Sequence, residues 1–276
     1  MKISVADKAG ACYGVQRALE LARAAADGPG PAHTLGPLIH NPTVVAQLRE
    51  RGVGVADEVS QIEKGIMVVR SHGVVPAVIE QARAKGLEVV DATCPHVSKV
   101  QAAAASLAAD GFFVVVVGEA GHPEVEGICA HAGDKSLVAS CAAELPEKLP
   151  SRQIGVVVQT TQTLDALTDV VDALVGRAVE LRVHNTICLA TQQRQSAARE
   201  LASRADAMVV VGGRNSGNTT RLRQICEAAC PKTHHIESAD EIDPAWFVGA
   251  DLVGVTAGAS TPVSQIEAVV ARLEAL

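Results

Sequence analysis

The sequence has few aromatic residues and a net negative charge. Only 2% of its 276 residues are Phe, Trp or Tyr, and the formal net charge is −7. Proteins that bind nucleic acid normally present a basic surface, and those that bind single strands also stack bases on aromatic side chains. We therefore expect no nucleic-acid partner. The scarcity of aromatic residues also requires a core of aliphatic side chains, chiefly Val, Ala and Leu.

The sequence also lacks a long apolar run. Its first ten residues, MKISVADKAG, contain no apolar signal core, and no stretch approaches the roughly 20 apolar residues of a membrane-spanning helix. We therefore expect a cytoplasmic protein with no membrane partner. With 48% hydrophobic and 20% charged residues, the composition is that of an ordinary globular protein. The length allows one large domain or two to three smaller ones.

One apolar stretch of the sequence is followed directly by a group of polar residues. Residues 112–117, FFVVVV, are too short for an ordinary helix and predict a strand buried on both faces, as in parallel sheets. Glycines and a proline then interrupt regular structure, and we interpret residues 118–127 as a loop that carries His122, Glu124 and Glu126. Ligands bind at the carboxyl ends of strands in open α/β sheets. The alternative is an ordinary solvent-exposed polar loop.

Apolar strand-like runs alternate with helix-like segments along the whole chain, which indicates an α/β protein with mostly parallel sheets. A helix is predicted to start at Pro42, because Asn41 is a favourable N-cap and proline suits the first helical position. Another is predicted to follow Pro76. The predicted strands are residues 3–6, 66–69, 87–90, 112–117, 154–158, 208–211 and 252–255.

The polar strand ends fall into three similar groups. Successive cysteines of these groups are 82 and 94 residues apart, and 100 residues close the ring through the start of the chain. We therefore predict three similar α/β units around a pseudo-threefold axis: residues 13–94, 95–186, and 187–276 together with 1–12. The groups are His40, His72 and Cys94; His122, Thr160 and Cys188; and Asn218, Ser260 and Cys12.

Three cysteines, Cys12, Cys94 and Cys188, each follow a strand-like run and open a helix. A helix amino terminus stabilises the thiolate that metals bind. Structural zinc usually takes four ligands, and electron carriers of the ferredoxin type bind each cluster through four closely spaced cysteines. The chain has no C-x-x-C pair. Three distant cysteines suit a 4Fe-4S cluster with one open iron, which acts as a Lewis acid.

The remaining cysteines, Cys129, Cys141, Cys226 and Cys230, are interpreted as small buried hydrophobic residues.

The polar residues at the predicted strand ends are suited to an anionic substrate. Histidines carry or donate protons near neutral pH, and backbone N–H groups at a strand-to-helix turn attract phosphate. No G-x-G-x-x-G pattern is present, so nicotinamide binding is not indicated. The candidate substrate-binding residues are His40, His72, His122, Ser216, Asn218, Thr160 and Ser260.

At these residues the chain resembles the 4-hydroxy-3-methylbut-2-enyl diphosphate reductases, the last enzymes of the methylerythritol phosphate route to isoprenoids. The resemblance covers essentially the whole chain. Several of its motifs are weak alone, but their occurrence together and in order is highly specific. The motifs are Cys12-Tyr13-Gly14-Val15, His40-Asn41, Ser71-His72-Gly73, Asp91-Ala92-Thr93-Cys94-Pro95, Gly121-His122-Pro123-Glu124-Val125-Glu126-Gly127, Gln159-Thr160-Thr161, Ile187-Cys188, Asn215-Ser216-Gly217-Asn218 and Val255-Thr256-Ala257-Gly258-Ala259-Ser260.

The resemblance implies a trefoil of three α/β domains around a 4Fe-4S cluster. It implies that Cys12, Cys94 and Cys188 ligate the cluster, that Thr160 contacts the substrate's hydroxyl end, and that Glu124 supplies protons as the C–O bond breaks. A ferredoxin- or flavodoxin-type protein would donate electrons, and the products would be isopentenyl and dimethylallyl diphosphate. The implied diphosphate contacts are His40, His72, His122, Ser216, Gly217, Asn218 and Ser260.

One position departs from the family pattern, because Gly217 stands where family members often have serine, and it can contact diphosphate only through its backbone N–H. Other functions remain open from the residues alone. A 4Fe-4S dehydratase or quinolinate synthase-like enzyme also uses three cysteines and an open iron, and it would need no reductant for turnover. An iron-sulfur sensor or carrier would bind a cluster but no diphosphate, and a zinc-stabilised binding protein would contain zinc without iron.

Overall fold

A computed structural model describes all 276 residues and contains twelve strands and nine helices. The chain forms two compact units. The first unit comprises Met1–Gln16, His40–Val44 and Leu189–Leu276, and the second comprises Arg17–Ile39 and Val45–Cys188. The helices are α1 Tyr13–Ala26, α2 Pro42–Glu50, α3 Pro76–Ala84, α4 Pro95–Ala109, α5 Pro123–Ala132, α6 Leu164–Val175, α7 Leu189–Ala202, α8 Gly217–Ala229 and α9 Val263–Glu274.

The second unit contains two parallel sheets of four strands each. The first sheet has the order β3-β2-β4-β5, and the second has the order β7-β6-β8-β9. Their strands are β2 Ala32–Leu35, β3 Val53–Ala56, β4 Ile66–Val69, β5 Glu88–Asp91, β6 Phe113–Val117, β7 Ser136–Ala139, β8 Gln153–Val158 and β9 Glu180–His184. The predicted strand at residues 66–69 is confirmed, and β6 confirms the strand predicted from the FFVVVV run.

The first unit contains the third sheet, which is also parallel and has the order β1-β12-β10-β11. Strand β1 pairs with β12 in the register Val5↔Val255, so the first strand of the chain completes a sheet formed by its last ones. The strands are β1 Lys2–Val5, β10 Ala207–Val211, β11 Thr233–Ile236 and β12 Leu252–Ala257.

All three sheets have the same strand order when the third is read as β10, β11, β12 and β1. The first strand of each set lies between the second and the third, and the fourth lies at the edge beside the third. The predicted α/β class with parallel sheets is therefore confirmed. The boundaries of the three predicted units stay a prediction.

The cores are aliphatic, as the scarcity of aromatic residues predicts. The four consecutive valines of β6, Val114 to Val117, are each 0% exposed, because α6 covers one face of the sheet and α4 and α5 cover the other. Burying one such side chain contributes about 1.5–3 kcal/mol before the loss of conformational entropy is counted. None of the nine helices has the length and hydrophobicity needed to cross a membrane.

Candidate functional site

The candidate residues occupy equivalent positions in the three sheets. In each sheet they follow the first, third and fourth strands in the order just defined, and these carboxyl ends are where α/β sheets bind ligands. Residues after the first strand are His40, His122 and the turn 216–218; those after the third are His72, Thr160 and Ser260; those after the fourth are Cys94, Cys188 and Cys12.

The three cysteines share one local geometry. Each directly precedes the first residue of a helix, α1, α4 or α7, as predicted. Each is half-buried, and no disulfide forms among the seven cysteines. Each cysteine N–H also donates to a carbonyl in the loop after the neighbouring third strand. These bonds are Cys12 N to Ala259 O at 3.1 Å, Cys94 N to Ser71 O at 3.0 Å and Cys188 N to Thr160 O at 3.1 Å.

The thiols therefore fit a metal or iron-sulfur group chemically. Each sulfur stands at a helix amino terminus, where the helix dipole favours a negatively charged group. Because the peptide N–H is already bonded to a carbonyl, each backbone is anchored independently of any ligand to sulfur. A partly exposed sulfur on a fixed backbone is suited to ligation, whereas a fully buried thiol is inert.

Glu124 is a buried acid in the second unit. It lies in the first turn of α5, and its side chain is 1% exposed. Both carboxyl oxygens accept hydrogen bonds from Thr160: Oε1 from the backbone N at 2.6 Å, and Oε2 from Oγ1 at 2.9 Å. Thr160 is itself buried, at 6% exposure. The two residues therefore form a fixed pair with a defined carboxyl orientation.

Burial raises the pKa of Glu124 to about 7, because desolvation disfavours the carboxylate. The two hydrogen bonds from Thr160 favour the carboxylate and oppose part of this effect. A carboxyl group with a pKa near neutrality is present in both protonation states at physiological pH. It can therefore act as a general acid.

Two histidines accompany Glu124 in the second unit. His122 is the N-cap of α5, and its Nδ1 accepts a hydrogen bond from the Glu124 backbone N at 3.1 Å. In the neutral ring the proton consequently lies on Nε2. The rings of His72 and His122 meet edge to face, with centroids 5.5 Å apart. The interpretation of residues 118–127 as a loop is wrong from Pro123 onwards, because proline begins α5 after the His122 cap.

The first unit holds the remaining predicted diphosphate contacts. Ser216 is the N-cap of α8, and its side chain accepts a hydrogen bond from Thr219 N at 3.3 Å. Gly217 and Asn218 are the first two residues of the helix. Both amide atoms of Asn218 are buried without a hydrogen-bond partner in the protein. Buried polar groups normally have partners, so this amide at a helix amino terminus is suited to a polar ligand.

His40 and Ser260 are connected within the same unit. The Ser260 hydroxyl donates to the His40 carbonyl at 3.2 Å. Asn41 Nδ2 donates to the Ser260 carbonyl at 2.9 Å, and its Oδ1 accepts from Val44 N at 3.3 Å, which confirms Asn41 as the cap of α2. A side chain at Gly213 would place Cβ 2.5 Å from the His40 carbonyl. Asn41 and Gly213 therefore support these candidates, a role that the sequence analysis did not identify.

Comparisons with known proteins agree with this arrangement. A family model described as LytB protein matches residues 3–274. The chain belongs to the LytB family. It is 50% identical over 274 residues to the 4-hydroxy-3-methylbut-2-enyl diphosphate reductase of Pelobacter propionicus, with 99% of this chain and 98% of the relative covered. The reductase of the same name from Geotalea uraniireducens is 48% identical, with 99% and 97% covered.

Solved structures agree as well. One of (E)-4-hydroxy-3-methyl-but-2-enyl diphosphate reductase, the terminal enzyme of the non-mevalonate pathway, is 42% identical with a TM-score of 0.74 and covers 99% of both chains. The structure of the E-1-hydroxy-2-methyl-but-2-enyl-4-diphosphate reductase of Plasmodium falciparum is 24% identical, with a TM-score of 0.91. The match covers 98% of this chain and 86% of the Plasmodium chain, and at this identity it supports the fold alone. The resemblance found in the LytB motifs is thus confirmed.

The other cysteines of this LytB chain behave in two ways. Cys226 and Cys230 are buried, at 0% and 4% exposure, which confirms their interpretation as hydrophobic residues. Burial also raises the pKa of Cys226 to about 12. Cys129 is half-buried and packs against the hydrophobic core that includes Val114, Val116 and Ile128, so the interpretation holds for it in part. Cys141 is half-buried and is not part of a core cluster, so full burial was wrong for it.

The sequence analysis also missed the residue that holds the loop before His122. The Gln159 side chain is 1% exposed, and its Oε1 accepts a hydrogen bond from the backbone N of Glu119 at 3.0 Å. Gln159 directly precedes Thr160, so one short segment anchors both this loop and the Glu124 carboxyl. The position of Gln159 after a predicted strand marked it as a possible functional residue, but amide side chains at strand ends have many roles.

Proposed function

We propose that this chain catalyses the reductive dehydroxylation of (E)-4-hydroxy-3-methylbut-2-enyl diphosphate. The substrate takes up two electrons and two protons, the C–O bond breaks, and water leaves with isopentenyl or dimethylallyl diphosphate as the product. The observation that carries the proposal is the buried Glu124 carboxyl, with a pKa of about 7 and both oxygens held by Thr160, in a chain 48% and 50% identical to reductases of this name.

Glu124 acts as the proton donor in this proposal. Loss of a hydroxyl group requires protonation of the departing oxygen, because hydroxide is a poor leaving group. A buried carboxylic acid donates this proton efficiently when its pKa lies near the working pH. Thr160 holds both carboxyl oxygens and brings its hydroxyl to the same place, where it contacts the hydroxyl end of the substrate.

We infer that Cys12, Cys94 and Cys188 hold a 4Fe-4S cluster. The support is their shared position at helix amino termini, their half-buried thiols and their anchored peptide groups. When bound, such a cluster would relay electrons from the external donor and offer an open iron as a Lewis acid for the substrate's hydroxyl group. Three cysteine ligands would leave one iron without a protein ligand.

The diphosphate contacts are proposed residue by residue. The unpartnered amide of Asn218, the Ser216 cap and the backbone N–H of Gly217 form an anion site at the start of α8. The histidines add ring N–H donors, and a protonated ring adds a positive charge. The further proposed contacts with diphosphate are His40, His72, His122 and Ser260.

Two properties of the surroundings belong to the same proposal. The electrons come from a ferredoxin- or flavodoxin-type protein, because repeated turnover requires an external reductant. The enzyme acts in the cytoplasm. Both inferences rest on the resemblance to the reductase family.

Anaerobic purification tests the function directly. Iron and sulfide are counted, and substrate-dependent oxidation of a reduced dye is followed. We expect about four iron and four sulfide per chain in the wild type and a loss of both in Cys94→Ser. The matched control Cys141→Ser, at another half-buried cysteine, keeps the wild-type content. A fully loaded protein that oxidises no dye when substrate is added contradicts the proposed reaction.

A further inference from the structure

A cavity in the second unit is lined by none of the residues assigned to the reaction. It has a volume of about 310 Å³ and lies at the carboxyl ends of β2, β3 and β4. Pro37, Asp57 and Arg70, which line it, each follow one of these strands. Cavities of this volume fall at the lower end of the range that binds small molecules.

The cavity lies between β2 and β4, where the chain connections of the first sheet run in opposite directions. In the order β3-β2-β4-β5, the chain passes from β2 to β3 on one side and from β4 to β5 on the other. The crevice at the carboxyl ends of such adjacent strands is the usual ligand site of open α/β sheets. Residues after β2 and β4 both line the cavity, so it occupies this crevice in the first sheet.

Arg70 gives the cavity an anion-binding group. Its guanidinium group packs against Gly36, where an added Cβ would lie 2.9 Å from Nη1. Its Nε donates to the Gly73 carbonyl at 3.4 Å. Burial lowers the pKa of Arg70, and the Glu126 carboxylate opposes this effect. Val75, the N-cap of α3, and Val78, in its first turn, form another wall. The amino end of a helix also favours an anion.

Other lining residues limit the ligand. The carboxylates of Asp57 and Glu126 face the same cavity, so a group with several negative charges, such as a diphosphate, would be repelled. Val75 and Val78, with Leu35, Pro37 and Pro123, supply apolar surface. A short apolar chain that ends in a single anionic group matches this combination of one cation, two carboxylates and hydrophobic walls.

We propose that this cavity binds a small molecule with a short apolar chain and one carboxylate group, its anionic end on Arg70 and its chain against Val75 and Val78. The anionic end lies beside the first turn of α3. The chain would also contact Pro123, in the turn of α5 that carries Glu124.

Isothermal titration of the anaerobically purified holoenzyme tests the site. The probe is isovalerate, and isopentanol and acetate represent the apolar and anionic parts alone. We expect isovalerate to bind more tightly than either part. Arg70→Gln should weaken its binding at least about tenfold by removing the cation, and Val78→Phe should abolish it by filling the cavity. Unfolding temperature and iron content show whether each variant is folded and loaded.

Two results would overturn the site. One is the absence of saturable binding of isovalerate to the wild type up to about 10 mM, a very weak affinity. The other is binding that persists unchanged in both folded variants, which would place the probe in the diphosphate site instead. Dye oxidation is measured on the same samples. Turnover without probe binding therefore rejects this cavity as a site and leaves the proposed reaction intact.

Discussion

Glu124 and Thr160 are joined by two hydrogen bonds, one from the threonine backbone N at 2.6 Å and one from its hydroxyl at 2.9 Å. The pair is almost completely buried. This arrangement keeps a carboxyl group in one orientation and raises its pKa to about 7, because desolvation outweighs the two bonds. A proton donor with a fixed direction and a near-neutral pKa is the feature on which the proposed reaction depends.

Replacing Glu124 by glutamine should remove most activity without disturbing the fold. The Gln oxygen still accepts from Thr160 N, and its amide donates to the Thr160 hydroxyl, so both contacts are kept. The proton is lost. We expect turnover to fall roughly 10²–10⁴-fold, the usual contribution of a general acid. Dye oxidation at saturating substrate measures the effect.

The matched control is Glu267→Gln, which changes an exposed carboxylate on α9 in the same way and should keep full turnover. Iron content and substrate binding should equal the wild-type values in both variants. Full turnover of Glu124→Gln would show that another group supplies the proton.

The pH dependence of activity should follow the protonation of Glu124. Because the acid form donates the proton, kcat/KM should fall above about pH 7, approaching tenfold per pH unit. In the wild type, the hydrogen bond from the Thr160 hydroxyl lowers the pKa of Glu124. Thr160→Val removes this bond, so the pKa should rise and the fall in kcat/KM, the alkaline limb of the profile, should move to higher pH. Thr160→Ser keeps a hydroxyl and should leave the limb in place. A limb that lies at the same pH in the Val variant and the wild type contradicts the assignment.

Stability should also depend on pH through Glu124. Its pKa is raised from 4.5 to about 7, so its contribution to stability is fully present below pH 4.5 and is lost as pH rises through 7. Between these limits the wild type should lose on the order of 3 kcal/mol relative to Glu124→Gln, which does not titrate. Urea midpoints of both proteins at about pH 5 and pH 8 give the difference, and an unchanged difference would refute the raised pKa.

Several of these features follow from sequence patterns, and others do not. The six apolar residues at 112–117 predict β6 because a strand buried on both faces has a continuous apolar sequence. Strands β7 and β9 lie at sheet edges and are short and partly exposed, so they lack a clear pattern. The sequence analysis places Pro123 in a loop, whereas in the structure it begins α5; proline is compatible with both positions.

The same distinction holds for the candidate site. The helix-start position of Cys12, Cys94 and Cys188 is visible in sequence, since a strand-like run precedes each and a helix follows. The bond from Asn41 to the Ser260 carbonyl joins residues 219 positions apart, and no local pattern reveals it. The pKa of Glu124 depends on burial by residues distant in the chain, which sequence also leaves undetermined. That the three cysteines hold one cluster stays a prediction.

The Asn41 contact gives a further test. Asn41→Ala removes both the cap of α2 and the bond to the Ser260 carbonyl, so it should destabilise the protein by about 1–3 kcal/mol. Because Ser260 is a proposed diphosphate contact, KM should rise as well. Asn41→Ser restores the cap alone and should recover part of the stability but not the KM. A wild-type KM in both variants would separate Asn41 from substrate binding.

The most direct measurement of the central claim is the number of electrons consumed per molecule of product. Anaerobic holoenzyme is supplied with reduced dye and (E)-4-hydroxy-3-methylbut-2-enyl diphosphate, and products are quantified as dye is oxidised. Reductive dehydroxylation predicts two electrons for each isopentenyl or dimethylallyl diphosphate formed. Conversion of the substrate without consumption of reductant would contradict it and indicate a dehydratase.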